Sequence, residues 1–177
     1  ILADIQQQGI SLGKLCSINQ GIVTGCDRIS GRHLNRYDLE LERGRGVFVI
    51  DREQVSKFNL TTEQEWFKPW FKNSHIDTWI PKQEISSERL LYLDHTVEKL
   101  PGQLTEHLAP AREILAQRRE ASQGRIKWWQ LQWPREKTIF TGPKLIAPQR
   151  HRYNVFAYTE APWYASADVY YITAQDA

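Results

Sequence analysis

Apolar residues recur along this chain at two spacings, and the spacings outline its elements before any residue is given a task. Between residues 100 and 123, Leu104, Leu108, Ala111 and Leu115 step by four, three and four, the repeat of one face of a helix. Pro110 falls inside that repeat and brings no amide proton. The pattern therefore predicts a break there, with Pro110 in the first turn of a second helix ending near Gly124. Elsewhere the apolar runs have strand length. They lie at 15–19, 47–50, 79–80, 90–93, 144–147, 155–158 and 169–172. The run at 90–93 is apolar throughout and stops at Asp94, which predicts a buried central strand.

The polar positions mark the connections. Thr62 with Glu65 three residues on has the form of a capping box and predicts a short helix through Trp66 and Phe67, limited by Pro69. Residues 72–76 read as a polar turn and 28–46 as irregular loop whose five arginines make it either a candidate second contact surface or an ordinary excursion with local Glu–Arg pairing. Gly21-Ile22-Val23-Thr24-Gly25 has the composition of a tight loop whose backbone amides approach a ligand or another backbone. Strands and helices alternate without a regular repeat. The expected fold is α/β in its mixed α+β form: one domain over residues 1–177, core about 11–173, built on a twisted mixed β-sheet with a few helices.

Charge changes this picture. Residues 112–152 carry ten Lys or Arg against three acids, +7, in a chain whose total is +2. The rest of the chain is net acidic. Trp128, Trp129 and Trp133 lie inside the basic segment, the pattern of a phosphate-facing surface with flat rings for stacking or packing. The same pattern also describes a solvated helix followed by core tryptophans, so Arg112, Arg118 and Arg119, off the apolar stripe, face either DNA or water. Adjacent residues of a strand point to opposite faces, so one of Trp128 and Trp129 is expected in the core and the other at the surface.

Composition excludes several classes. No stretch approaches the roughly 18 apolar residues of a membrane span, and the opening residues lack a signal-peptide pattern. With no methionine anywhere, the chain reads as a piece of a longer protein. Cys16 and Cys26, ten apart, fit reduced thiols of a cytoplasm better than a disulfide. The five histidines are scattered, so no metal site is expected. No catalytic residue is assigned either. There is no Asn-Pro-Pro-Tyr or Asp-Pro-Pro-Tyr segment to clamp a flipped base, no Gly-rich cofactor loop after a strand, and no nuclease carboxylate cluster.

An ordered set of short signatures carries a resemblance. Leu12-Gly13-Lys14-Leu15 precedes the 21–25 loop. Phe67-Lys68-Pro69-Trp70-Phe71-Lys72 with Ile76, Leu90-Leu91-Tyr92, Arg118-Arg119, Lys127-Trp128-Trp129 and Pro143-Lys144-Leu145-Ile146 then follow. Together they resemble the TaqI-like C-terminal target-recognition domain of adenine-specific DNA methyltransferases and type IIG restriction-modification enzymes. Two departures stand out. Lys72-Asn73-Ser74-His75-Ile76 replaces the family's frequent Arg-Gly-x-Asp-Ile, and Cys26-Asp27 follows the glycine loop. The resemblance implies a non-catalytic module that reads double-stranded DNA in a bacterial or archaeal cytoplasm. An upstream methyltransferase domain of the same chain would bind S-adenosylmethionine and flip the adenine.

From these readings the expected DNA contacts are Thr24, Gly25, Lys72, Arg118, Arg119, Lys127, Trp128, Lys144, Gln149, Arg150 and Arg152. Pro148 ends the strand at 144–147, so Gln149, Arg150 and Arg152 should project from a rigid edge. They are the groups suited to base edges, whereas Lys127 and Lys144 suit phosphate. The 21–25 loop is expected to be exposed, so that Gly25→Val spares the fold. Two other classes stay open: an enzyme domain, nuclease or RNA-modifying, and a protein-interaction domain whose tryptophans are all core.

Overall fold

Eight strands, numbered β1 to β8, lie among the described residues: Cys16–Gln20, Val49–Asp51, Phe67–Phe71, Glu88–Leu91, Lys144–Pro148, Ala157–Thr159, Tyr164–Ala165 and Val169–Ala174. Seven short α-helices, α1 to α7, lie there too, spanning Gly31–Arg36, Arg52–Val55, Glu63–Trp66, Gly102–Leu108, Arg112–Ala116, Arg119–Ser122 and Thr138–Thr141. The computed structural model describes residues 7–60, 63–81 and 86–174. The mixture of strands and helices is the one anticipated, but its strands are divided over two sheets. Packing gathers the described residues into two compact units, one from 7–21, 72–81 and 136–174 and the other from 22–60, 63–71 and 86–135.

In the first unit the sheet order is β1–β8–β5–β6. Its pairings are antiparallel, with Ile18 opposite Ile172, Ile146 opposite Tyr171 and Ile146 opposite Ala157. Side chains of a strand alternate between faces. Along β5 this puts Lys144 on the buried face with Ile146, while Leu145 is exposed. Phe140 of α7 completes that core, its ring 5.0 Å from Tyr171 edge-on and 4.8 Å from Tyr164.

In the second unit β4 lies between β2 and β3, with Leu90 opposite both Val49 and Lys68. Leu90, Leu91 and Leu93 are wholly buried, as the unbroken apolar run requires. Leu104, Leu108, Ala111 and Leu115 are all buried too. Around Pro110 the helix tightens to a 3-10 turn, Ala109–Ala111, before α5 begins. Arg28 spans β2 and β4, its Nη2 donating to Asp51 at 2.6 Å and to Glu88 at 3.0 Å.

Three local expectations change. The 28–46 stretch holds α1, opened by a capping box in which Ser30 Oγ accepts from the His33 amide and His33 Nδ1 accepts from that of Ser30. A histidine replaces the usual Glu or Gln at the third position, which conceals the signal. Pro69 lies inside β3, which follows α3 directly; Thr62 itself lies outside the described residues. Residues 79–80 make an isolated bridge, not a strand.

Candidate nucleic-acid interface

Three expected DNA contacts, Thr24, Gly25 and Arg118, meet inside the second unit. Arg118 follows α5 in extended backbone at the start of α6 and is 8% exposed. Its guanidinium donates to four main-chain oxygens: Leu115 at 2.9 Å, Thr24 at 2.7 Å, and Trp128 and Gln130 at 2.8 Å each. Burial lowers its pKa to about 10, with nearby Cys26 and Glu120 opposing the shift. A guanidinium has five N–H donors and no acceptor, so this one is committed to joining the 21–25 loop, the α5 end and the 128–130 turn. Arg118 is therefore a structural clamp rather than a phosphate contact.

Thr24 is corrected in the same way. It is buried, its hydroxyl donates to Asp27, and its Oγ1 accepts from the Cys26 amide at 3.1 Å. Gly25 is exposed but has φ +85°. A Cβ there would stand 2.5 Å from Arg118 Cδ and 2.8 Å from Gln132 Oε1. The glycine is needed for the backbone turn and for the close approach of Arg118, so the expectation that Gly25→Val spares the fold is reversed. Beside it, desolvation raises the Cys26 thiol to about 12, with the Asp27 charge adding to the rise and Arg118 opposing it. That cysteine is no thiolate nucleophile at neutral pH.

Lys144 is corrected as well. It is 2% exposed, and its ammonium donates to Gly142 O at 2.8 Å and Ala161 O at 2.9 Å. Desolvation lowers its pKa to about 8. Strand alternation carries it inward, away from any phosphate.

The tryptophan pair departs from its prediction for a different reason. Residues 127–130 form a turn, not a strand, with Lys127 N donating to Gln130 Oε1 at 2.9 Å and Gln130 N to Lys127 O at 3.0 Å. Strand alternation has no hold there. Trp128 and Trp129 are both half-buried and meet edge to face at 5.6 Å. The Arg112 guanidinium lies 5.3 Å from the Trp128 ring, and the Lys127 ammonium as far from Trp129, within cation–π range. Lys127 is exposed and its Nζ donates to Glu98 O at 2.8 Å. Arg119 is exposed on α6, and Lys72 is exposed in the first unit.

Gln149, Arg150 and Arg152 are all exposed in the loop between β5 and β6. The loop is tied at its base, since Gln149 N donates to Asp168 O at 2.7 Å. Further along, Tyr153 N donates to His151 Nδ1 at 3.2 Å, and the Arg152 guanidinium stands 5.5 Å from the Tyr153 ring centre. No acid occurs between Lys144 and Thr159. The arrangement presents two guanidinium forks and one amide from the end of β5, an inner strand of its sheet, the donor set that pairs with guanine and adenine edges or with phosphate.

The 28–46 stretch, a candidate second contact surface in the sequence, lines an open cleft of about 670 Å³ in the second unit through Arg28, Arg43 and Arg45, joined by Lys57, Phe58 and His107 and by acids including Glu40, Glu42 and Asp51. One feature escaped the sequence reading: Trp79, 76% exposed at φ +77°. Among the described residues no three His, Cys, Asp or Glu side chains gather as a metal site would need, and no helix is long and apolar enough to cross a membrane. Cys16 and Cys26 are not joined in a disulfide.

The fold has a counterpart among solved structures. The chain is similar in fold to part of a restriction-modification enzyme. That enzyme is the type IIL restriction-modification enzyme MmeI, solved in complex with DNA. The likeness has a TM-score of 0.58 at 14% identity and covers 96% of this chain and 20% of MmeI. The type IIG restriction endonuclease BpuSI also matches, at a TM-score of 0.42 and 10% identity, over 98% of this chain and 19% of the endonuclease. The chain thus spans about a fifth of MmeI, and the likeness is one of fold. No family model and no curated protein matches.

Proposed function

We propose that this chain is a target-recognition module of the TaqI-like kind, reading double-stranded DNA for an adenine-specific methyltransferase of a type IIG-like restriction-modification system. The observation that carries the reading is the 149–152 loop. It is an acid-free, outward-facing set of Gln149, Arg150 and Arg152 anchored at the end of the inner strand β5, on a fold similar to part of an enzyme solved on DNA. In this reading the module is itself non-catalytic. S-adenosylmethionine and the target adenine belong to a methyltransferase domain upstream in the same chain. Gln149, Arg150 and Arg152 read bases, while Lys72, Arg119 and Lys127 contact phosphate and Trp128 packs at the margin. Arg118, Thr24, Gly25 and Lys144 serve the scaffold.

The test is duplex binding by the full-length protein across a salt series. Each neutralised phosphate contributes about −0.9 to the slope of log K against log salt. The reading predicts a slope of several units, reduced by about one for each of Lys72→Ala, Arg119→Ala and Lys127→Ala. An affinity flat in salt overturns it.

A further inference from the structure

The search for an unassigned site ends at Trp79, in the first unit. Its backbone has φ +77°, the left-handed region that a bulky side chain occupies only under constraint. Two main-chain hydrogen bonds to the edge strand β6 supply the constraint: Trp79 N donates to Phe156 O at 2.8 Å, and Tyr158 N donates to Trp79 O at 3.1 Å. The bridge covers part of an open sheet edge, which is useful to the fold. Nothing in that bridge asks for an indole. A glycine would make both hydrogen bonds without strain, yet the position holds the largest side chain available and leaves it 76% exposed.

The surroundings indicate what the ring meets. The bridge pairs Trp79 with the buried Ala157, whose chain neighbours Phe156 and Tyr158 are 42% and 50% exposed. The residues leading into Phe156 include Arg150, Arg152 and the exposed Tyr153, with no acid from Lys144 to Thr159. Asp77 and Glu160 flank the patch, and the Tyr158 hydroxyl donates to Glu160 at 2.5 Å. Exposed rings on and against a segment that also carries two exposed guanidiniums suit a partner that offers both flat apolar faces and negative charge. Nucleic acid meets that description more closely than a protein surface does, since bases stack on aromatic rings whatever their sequence and phosphates take the arginines.

The geometry points to Trp79 as an aromatic wedge that enters duplex DNA at one base step and stacks on the base it uncovers. The inference rests on the DNA-recognition reading and adds a deformation of the duplex to it. A wedge held by backbone bonds has its orientation fixed before binding, so little ordering remains when the ring inserts. Because unstacking depends on the step, the wedge contributes preference at a position that no hydrogen-bonding side chain touches.

The experiment uses the full-length protein and a duplex that it selects from a random pool, with 2-aminopurine placed at each position in turn. Wild-type protein is expected to raise the fluorescence at one step, where the base loses its neighbour. Trp79→Ala should abolish that rise and weaken binding by roughly 5- to 150-fold, the range for one stacked base, while Trp79→Phe retains part of both. Trp79→Gly should lose binding like Trp79→Ala, yet unfold at an equal or higher midpoint because the strain is released. Flat fluorescence with wild-type protein, binding by Trp79→Ala within twofold of wild type, or a lowered unfolding midpoint for Trp79→Gly each overturns the wedge while leaving DNA recognition standing. Selection of no duplex at all overturns both.

Discussion

Arg118 Nη1 donates to the main-chain oxygen of Thr24 at 2.7 Å across 94 positions of sequence. With the bonds to Leu115, Trp128 and Gln130, one guanidinium holds three segments that have no regular ladder between them. Removing it takes a donor from four carbonyls in a place where water is scarce, and of these Thr24 O keeps the Gln132 amide at 3.3 Å. Arg118→Met is therefore expected to lower stability by roughly 3 kcal/mol or more, measured by urea unfolding. Arg118→Lys should recover only a minor part, because an ammonium cannot reproduce the planar fork. A change within about 0.5 kcal/mol, the range of ordinary surface substitutions, would return Arg118 to the surface.

Gly25 is predicted to behave as part of that clamp. Gly25→Ala puts a Cβ at φ +85° and against an Arg118 side chain already fixed at four points. The expected cost is about 1 to 3 kcal/mol, and in the Arg118→Met background the cost should shrink, since the obstructing side chain has changed. Equal costs in the two backgrounds would show that backbone strain alone is at work.

How much of this was legible depends on which force set each position. The stripe Leu104, Leu108, Ala111 and Leu115 and the run at 90–93 were legible because hydrophobic burial enforces period, and both are buried as expected. The loop after Pro148 was legible because proline ends β5. Arg118 and Lys144 were misread because composition records charge but not direction. For Lys144 the cue was present, since it stands two residues before Ile146 and strand alternation gives both the same face. For Arg118 no local cue exists: its partners lie at Thr24, Leu115, Trp128 and Gln130, and only the folded chain assembles them. Trp79 was taken for strand because a bridge made under left-handed strain leaves no periodic mark.

Lys144 gives a pH prediction whose sign is fixed by burial. Its folded pKa is about 8 against 10.5 for the ordinary amine, so between those values the unfolded chain holds a proton that the folded chain has released. Its contribution is thus least favourable below pH 8 and improves as pH rises toward 10.5. Relative to Lys144→Met, wild-type stability should gain about 2 kcal/mol between pH 7 and pH 9.5, read from paired urea titrations. A difference that stays constant over this interval would mean that the amine titrates normally.

The central claim is that the 149–152 loop reads bases. The measurement that tests it most directly is the base preference at every position of the target, determined for methylation by the full-length protein and by its Arg150→Ala and Arg152→Ala variants. The account predicts that each variant loses roughly 1 to 3 kcal/mol of discrimination at one base pair and keeps the preference elsewhere. A preference profile that matches wild type at every position in both variants would contradict it.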